Sequence, residues 1–262
     1  MDYRALTVAE ITARLARLAR PSAALLRRLR RDPRCGVRQL AVRYERARER
    51  VRAERRRLVK LYREERGRRL SGQVVVGVDE VGRGCLAGPV LAAAVILPDG
   101  PPIAGLDDSK RLTPAERERL NDEIRARALA VAVAEATVEE IARLNIRGAA
   151  LLAMRRAVEC LGPLPDFALV DGLDRLQLEV DHAAMVRGDA ACACIAAASI
   201  VAKVARDRLM RELDAVFPGY GFARHKGYST AEHLDALVRL GPCPAHRRAF
   251  LPVAQLALFE HL

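Results

Sequence analysis

Two acidic residues and a glycine-flanked arginine follow a valine-rich run in the first half of the chain. Asp79 and Glu80 come at the end of the run 74–78, and the segment Gly82-Arg83-Gly84 follows. Carboxylates bind hard divalent cations, and an arginine between glycines offers a planar donor fork on backbone that a ligand can approach closely. Together these residues indicate phosphodiester chemistry. Taken alone, the segment is also compatible with the charged turn of a β-hairpin.

Two further acids occupy comparable positions later in the chain. Asp171 ends an apolar run typical of a buried strand, and Asp189 begins a predicted helix over 190–216. Because side chains at the carboxyl ends of strands line the functional crevice of an α/β sheet, we expect both to converge with Asp79 and Glu80. Oxygen donors without His or Cys favour Mg²⁺ or Mn²⁺ over zinc, and two such ions suit an in-line displacement at phosphorus. The alternatives are a turn residue at Asp171 and a helix cap at Asp189.

The elements that must position these acids alternate between strand and helix from residue 73 onward. This alternation predicts an α/β domain over 73–262, with a mixed sheet covered by helices. Residues 1–70 instead show apolar stripes at helical spacing, which predict a small helical domain. The glycines that bound Gly67–Gly72 predict a linker there.

The charge of the chain is concentrated in its first segment. Residues 1–70 carry 23 Lys and Arg against eight Asp and Glu, a net charge of +15, whereas the remainder carries 22 against 25, a net charge of −3. A basic segment of this kind is suited to a nucleic-acid backbone. The alternative is that the arginines only keep the helices solvated.

Composition sets outer limits on the function. With 262 residues and 51% apolar content, the chain can bury a substantial core. Its six cysteines form no C-x-x-C pair, so we expect reduced core thiols, with a zinc site as the second interpretation. No apolar run reaches the roughly 18 residues that a membrane span requires, and the first residues lack the apolar core of a secretory signal. A cytoplasmic protein without membrane contact is expected.

Further motifs extend over residues 77–250. They are Gly77-Val78-Asp79-Glu80, Gly82-Arg83-Gly84, Leu86-Ala87-Gly88-Pro89-Val90, Asp108-Ser109-Lys110, Asn145-Ile146, Val170-Asp171-Gly172, Gly188-Asp189, Ala198-Ser199-Ile200-Val201-Ala202-Lys203-Val204, Arg206-Asp207, Tyr220-Gly221-Phe222, His225-Lys226-Gly227-Tyr228 and His246-Arg247. In this order they resemble bacterial ribonuclease HII, an endonuclease family with the ribonuclease H fold.

The resemblance implies roles for particular residues. The acids expected to hold two Mn²⁺ or Mg²⁺ ions during catalysis are Asp79, Glu80, Asp171 and Asp189. The residues expected to bind substrate are Gly82, Arg83, Gly84, Ser109, Lys110, Lys203 and Tyr228. Of these, the Gly-Arg-Gly element is expected at the 2′-hydroxyl of the RNA–DNA junction and Tyr228 against the next deoxyribose. Ser109 and the two lysines are expected to contact phosphate or to support the acids.

The activity implied by the resemblance is hydrolysis of the RNA strand of RNA·DNA hybrids. It includes cutting 5′ of single ribonucleotides embedded in duplex DNA, as in ribonucleotide excision repair. The expected products carry a 3′-hydroxyl and a 5′-phosphate, and the enzyme is expected to be a monomer. A non-catalytic binder of hybrid or duplex nucleic acid is the alternative from another class, and the presence of all four acids counts against it. Ribonuclease HIII, which lacks the Gly-Arg-Gly element, fits less well.

The sequence departs from the family pattern at several positions. Val81 replaces the usual alanine and Cys85 the usual proline, while Ala191, Cys192 and Cys194 replace a lysine and two serines. The lost lysine and hydroxyls are expected to weaken phosphate contacts. The helical extension resembles one that occurs in a subset of the family.

Overall fold

The chain folds into two compact units, Met1–Arg57 and Leu58–Leu262. The computed structural model describes residues 3–18, 21–162, 164–173 and 176–259. Within these ranges, no helix combines the length and the apolar character needed to cross a bilayer.

The first unit is helical, as expected from the sequence. Its helices are α1 (Val8–Arg17), α2 (Ala23–Arg30) and α3 (Cys35–Leu61), whose last turns belong to the second unit. A capping box at Thr7 starts α1, and Ser22 caps α2. The apolar stripes meet in a small core that includes Ile11 and Leu15.

A fourth helix, α4 (Arg63–Leu70), occupies most of the segment predicted as a linker. The prediction of an irregular linker over Gly67–Gly72 is therefore wrong, because the backbone is helical up to Leu70 and only the turn after it is irregular. An isolated glycine weakens a helix by about 1 kcal/mol, and tertiary contacts offset that loss here. Glu65 of α4 is buried and accepts a hydrogen bond from the backbone N–H of Cys194.

The second unit is built on a five-stranded mixed sheet, as expected. Its strands are β1 (Val75–Val81), β2 (Val90–Ile96), β3 (Ala130–Ala136), β4 (Phe167–Asp171) and β5 (Asp181–Met185), in the order β3-β2-β1-β4-β5. Strand β2 runs antiparallel to both β1 and β3, and β4 runs parallel to both β1 and β5. This arrangement places the carboxyl ends of β1 and β4 side by side.

Helices cover both faces of this sheet, and strand β2 is therefore buried along its whole length. Besides α4, the helices of the second unit are α5 (Pro114–Arg127), α6 (Val138–Glu159), α7 (Gly188–Ala191), α8 (Ala193–Val216), α9 (Phe222–His225), α10 (Ala231–Leu240) and α11 (Leu251–Phe259). Helix α8 packs on one face and α6 on the other. Asn145 interrupts α6 with a φ of 57°, and its side chain caps the second half.

Helix α8 approaches β1 closely because both surfaces carry small residues. A Cβ added to Gly77 would lie 2.1 Å from the backbone carbon of Cys194, so only glycine fits at this crossing. The single helix predicted over 190–216 is wrong in one respect, because Cys192 has extended backbone and separates α7 from α8. Asp189 therefore lies on the short helix α7 and not on α8.

Candidate active site

Three carboxylates meet where β1, β4 and α7 come together, and we call Asp79, Asp171 and Asp189 the acid centre. Val78 pairs with Val170 in parallel register, so the next residue on each strand is an aspartate at the same sheet edge. Asp189 enters from α7. One carboxylate oxygen from each of the three lies within 4.8 Å of the others. The convergence expected from the sequence therefore holds for these three acids.

Backbone and lysine donors fix the orientation of the acid centre. The backbone N–H of Glu80 donates to Asp79 Oδ1 at 2.8 Å. The backbone N–H of Gly188 donates to Asp171 Oδ1 at 2.6 Å. Lys110 Nζ lies 3.1 Å from Asp189 Oδ2, and its side chain is largely exposed. One lysine for three neighbouring carboxylates leaves the negative charge of the acid centre largely uncompensated.

The pKa values in the acid centre record this crowding. Burial raises the pKa of Asp79 well above its usual value, and the charges of Glu80 and Asp171 raise it further. Burial also raises the pKa of Asp171, with a further contribution from Asp189. A divalent cation would offset these charges, and an oxygen-only donor set suits Mg²⁺ or Mn²⁺. The residues present therefore fit such an ion.

Glu80 lies beside the acid centre rather than within its group of three. Its carboxylate accepts a hydrogen bond from Arg83 Nη1 at 3.2 Å, and burial raises its pKa despite that partner. The sequence predicted that four acids would meet at one point. Three of them do so, and Glu80 lies next to them. The physical reason is strand alternation, which turns successive side chains to opposite faces.

A serine pair supports the acid centre, and one member was missed in the sequence. The hydroxyl oxygens of Ser109 and Ser199 lie 2.9 Å apart. Although burial dominates the pKa of Asp79, a hydrogen bond with Ser199 lowers it. Both serines are buried. Of the two roles expected for Ser109, its burial favours support of the acids over direct phosphate contact. Ser199 lies within a run of small apolar residues, so the sequence pattern gave no indication that it contacts the acids.

The segment Gly82-Arg83-Gly84, here called the Gly-Arg-Gly turn, follows β1 directly. Arg83 is substantially exposed, and a Cβ added to Gly84 would meet nothing within 4 Å. The backbone N–H of Leu86 donates to the carbonyl of Gly227 at 2.8 Å, which joins this loop to the segment before Tyr228. The predicted substrate residues at the turn and near Tyr228 thus belong to two hydrogen-bonded loops.

Tyr228 and Lys203 form the other side of this surface. Tyr228 is 40% exposed, and Lys203 Nζ lies 5.7 Å from the centre of its ring. Lys203 also donates to Asp207 Oδ1 at 2.7 Å. An exposed aromatic face beside a cation suits stacking against a sugar and contact with its phosphate.

Comparisons with known proteins decide the family. A family model described as "Ribonuclease HII" matches residues 76–253, and one described as "Ribonuclease HII N-terminal domain" matches residues 7–68. The chain belongs to the ribonuclease HII family. It is therefore an RNA-hydrolysing nuclease, and the expectation of a ribonuclease H-like fold is confirmed.

Individual ribonuclease HII relatives agree with this placement. The protein from Albidiferax ferrireducens is 59% identical over 183 residues, covering 70% of this chain and 88% of the relative. The protein from Anaeromyxobacter sp. is 52% identical over 226 residues, covering 86% of this chain and 71% of the relative. The crystal structure of ribonuclease H2 from Pyrococcus horikoshii OT3 matches with a TM-score of 0.59 at 25% identity, covering 71% of this chain and 98% of that one.

Cys192 and Cys194, two of the expected departures from the family pattern, belong to a second group of potential ligands. With Glu65 they make the Glu65 group, whose donor atoms also lie within 4.8 Å of one another. All three side chains are buried, and Glu65 Oε2 accepts the backbone N–H of Cys194 at 2.7 Å. Burial raises the pKa of the Cys194 thiol well above its usual value. Both cysteines are free, as expected for core thiols.

Cys85, one of the expected departures from the family pattern, is buried and interacts with Tyr228. Burial raises the pKa of Tyr228, and contact with Cys85 raises it further. The buried thiol therefore contacts a tyrosine that remains 40% exposed. Ala191 ends α7 and offers no charge in place of the usual lysine.

Proposed function

We propose that this protein cuts the RNA strand of RNA·DNA hybrids and cuts 5′ of single ribonucleotides embedded in duplex DNA. The products would be a 3′-hydroxyl and a 5′-phosphate. The observation that carries the proposal is the acid centre: three mutually repelling carboxylates on two adjacent strand ends and a helix. The enzyme would act as a monomer in the cytoplasm, where such cuts begin ribonucleotide excision repair.

The acid centre would hold Mg²⁺ or Mn²⁺, with Glu80 as a further carboxylate beside it. When bound, such ions supply Lewis acidity at the phosphodiester. The protein groups fix the carboxylates in place, through the N–H of Gly188 on Asp171 and of Glu80 on Asp79. Lys110 holds positive charge next to Asp189, where it would attract the substrate phosphate.

Recognition of the ribonucleotide would fall to the Gly-Arg-Gly turn and Tyr228. A 2′-hydroxyl is what distinguishes RNA from DNA, and the open space over Gly84 allows backbone to approach it. Arg83 would contact phosphate through its exposed fork. Tyr228 would stack on the deoxyribose that follows, with Lys203 beside the neighbouring phosphate.

A cleavage assay tests the proposal directly. A labelled DNA duplex containing one ribonucleotide is incubated with the protein and Mg²⁺ or Mn²⁺, beside an all-DNA duplex. We expect one cut on the 5′ side of the ribonucleotide, no cut in the control, and loss of cutting with retained binding in Asp171→Asn. A variant as active as the parent would remove Asp171 from the site. Binding without cutting by the parent would favour the non-catalytic alternative.

We also propose that the arginine-rich first unit strengthens binding to the nucleic-acid backbone. Its net positive charge supports this role, because each phosphate contact releases counterions and steepens the salt dependence. Removal of residues 1–57 should weaken duplex binding and flatten its dependence on salt. An unchanged salt slope would make the unit purely structural.

A further inference from the structure

Two arginines of the second unit are buried without an acidic partner. Arg206 has no exposed surface and Arg247 retains 1% of its own. Among the described residues, neither forms an ion pair with a carboxylate, and all their hydrogen bonds go to backbone carbonyls. Burial of a charge without a counter-ion has an effective penalty of several kcal/mol. A buried arginine of this kind therefore indicates that its hydrogen bonds have a role that an apolar side chain could not fill.

The carbonyls that the two guanidinium groups contact lie in the two candidate substrate loops. Arg247 donates to the carbonyls of Arg83 at 2.9 Å, Gly88 at 2.8 Å and Pro89 at 3.2 Å. Arg206 donates from Nη1 to the carbonyl of Lys226 at 2.8 Å and from Nη2 to that of Ala87 at 3.0 Å. Arg206 thus bridges the loop of the Gly-Arg-Gly turn and the segment two residues before Tyr228.

Gly82 and Gly84 have different surroundings because of Arg206. Gly82 has a φ of +93°, and a Cβ there would lie 2.1 Å from Arg206 Nε. The same substitution at Gly84 would enter open space. The first glycine therefore makes room for the buried arginine, and the second leaves the outer surface free for a ligand.

If the two arginines only stabilised the fold, their hydrogen bonds could go to carbonyls anywhere on the sheet. Here Arg247 donates to the carbonyl of Arg83, and Arg206 donates to the carbonyl of Lys226. Their other hydrogen bonds go to the carbonyls of Ala87, Gly88 and Pro89, which lie in one loop. The planar fork of arginine fixes direction as well as distance, which a lysine cannot do. The contacts therefore set the orientation of the Gly-Arg-Gly turn relative to Tyr228.

We propose that Arg206 and Arg247 are positioning residues that hold the Gly-Arg-Gly turn and Tyr228 in the geometry that selects a ribonucleotide. This inference rests on the proposed function of those two elements. The arginines touch no substrate themselves, and they act through the backbone that they hold. Loss of Arg247 would loosen the loop of the Gly-Arg-Gly turn, and loss of Arg206 would remove a bridge from that loop to the segment before Tyr228. Either loss would reduce discrimination between RNA and DNA at the junction.

The test measures discrimination in binding. In an Asp171→Asn background, which we expect to bind without cutting, fluorescence anisotropy gives the affinity for matched duplexes with and without one ribonucleotide. We expect Arg206→Lys and Arg247→Lys to lower the ribonucleotide preference by about tenfold, while affinity for the all-DNA duplex stays within about twofold. Arg156→Lys, at an arginine paired with Glu140 on another face of the unit, is the matched control and should change neither value.

A second measurement needs no substitution at the arginines and so does not depend on whether those variants fold. Hydrogen–deuterium exchange on the Asp171→Asn protein should show segments 83–89 and 226–228 gaining protection together, and only with the ribonucleotide duplex. Independent protection, or lysine variants that keep the full preference, would overturn the inference. If the Asp171→Asn protein shows no preference and the parent cuts neither duplex, the proposed function itself fails.

Discussion

The acid centre and the Glu65 group are equally compact sets of potential ligands in very different surroundings. In both, donor atoms lie within 4.8 Å of one another. The acid centre contains only carboxylates, has one exposed lysine against it, and sits at the open end of two strands. The Glu65 group mixes oxygen with sulfur and is buried under α4. Proximity of ligand-type side chains is common to both, so it cannot be what marks a functional site.

Charge compensation and access separate the two regions. Glu65 caps the first turn of α8 through the N–H of Cys194, and Arg69 lies 3.7 Å away. A carboxylate at a helix N-terminus interacts favourably with the helix dipole. Glu65 therefore has a structural partner that needs no ligand. The acid centre has one exposed lysine for three carboxylates, and a bound cation would supply the missing positive charge.

The largest expected effect comes from Asp79→Asn. Loss of one cation ligand should lower the rate on the ribonucleotide duplex by about 10³-fold, equivalent to about 4 kcal/mol. In thermal unfolding, Mn²⁺ at about 100 times its Kd should stabilise the parent by about 2.7 kcal/mol and the variant much less. Glu65→Gln is the control and should keep the Mn²⁺ response. Equal stabilisation of Asp79→Asn and the parent would place the ion elsewhere.

The next largest effect concerns how α4 holds the second unit together. Removal of residues 1–57 should leave the unit Leu58–Leu262 stable, because its core is retained. Removal of residues 1–70 also deletes the buried Leu61, Tyr62 and Glu65, and should lower the free energy of unfolding by about 4 kcal/mol or more. Urea denaturation of both truncated proteins measures the difference. Equal stabilities would show that α4 is dispensable for the second unit.

The positions of the acids could be anticipated because they depend on local signals. Asp79 and Asp171 each end a valine-rich strand, and parallel pairing of those strands brings their ends together. Asp189 starts a helix after glycine. Family motifs supplied the same residues independently. The prediction was less accurate for Glu80, because alternation along a strand separates neighbours that are adjacent in the sequence.

The supporting residues could not be anticipated because their environment is entirely tertiary. Arg206 lies in a helical segment where an arginine next to an aspartate is typical of an exposed ion pair, yet it is buried. Glu65 lies in the charged run of α4, and only contact with α8 explains its burial. Sequence periodicity reports which face of an element is apolar, but it does not report which polar residue crosses into a neighbouring loop.

A smaller effect is expected from changes at Glu65 alone. Glu65→Ala should lower the free energy of unfolding by about 2 kcal/mol, because the N–H of Cys194 loses its acceptor in a buried site. Glu65→Gln should recover most of that loss, since the amide oxygen can accept the same bond and burial already raises the pKa of the acid. Urea denaturation measures both, and activity per folded molecule should stay unchanged. A greater loss in the Gln variant than in the Ala variant would argue that the charge itself is required.

The smallest effect concerns Glu140, an acid with a dedicated partner and a pKa shifted in the opposite direction to those of the acid centre. Two hydrogen bonds from Arg156, at 2.7 and 2.8 Å, lower its pKa to about 2. A lowered pKa means that the stabilisation is fully present above about pH 4.5 and is lost as pH falls toward about 2. Because the pair is near the surface, Glu140→Gln should cost about 1 kcal/mol at neutral pH, and the gap from the parent should shrink between about pH 5 and about pH 3 in urea denaturation. A gap that is constant over this range would show that the pair does not couple to folding, and a paired acid would then differ less from the acid centre than the structure indicates.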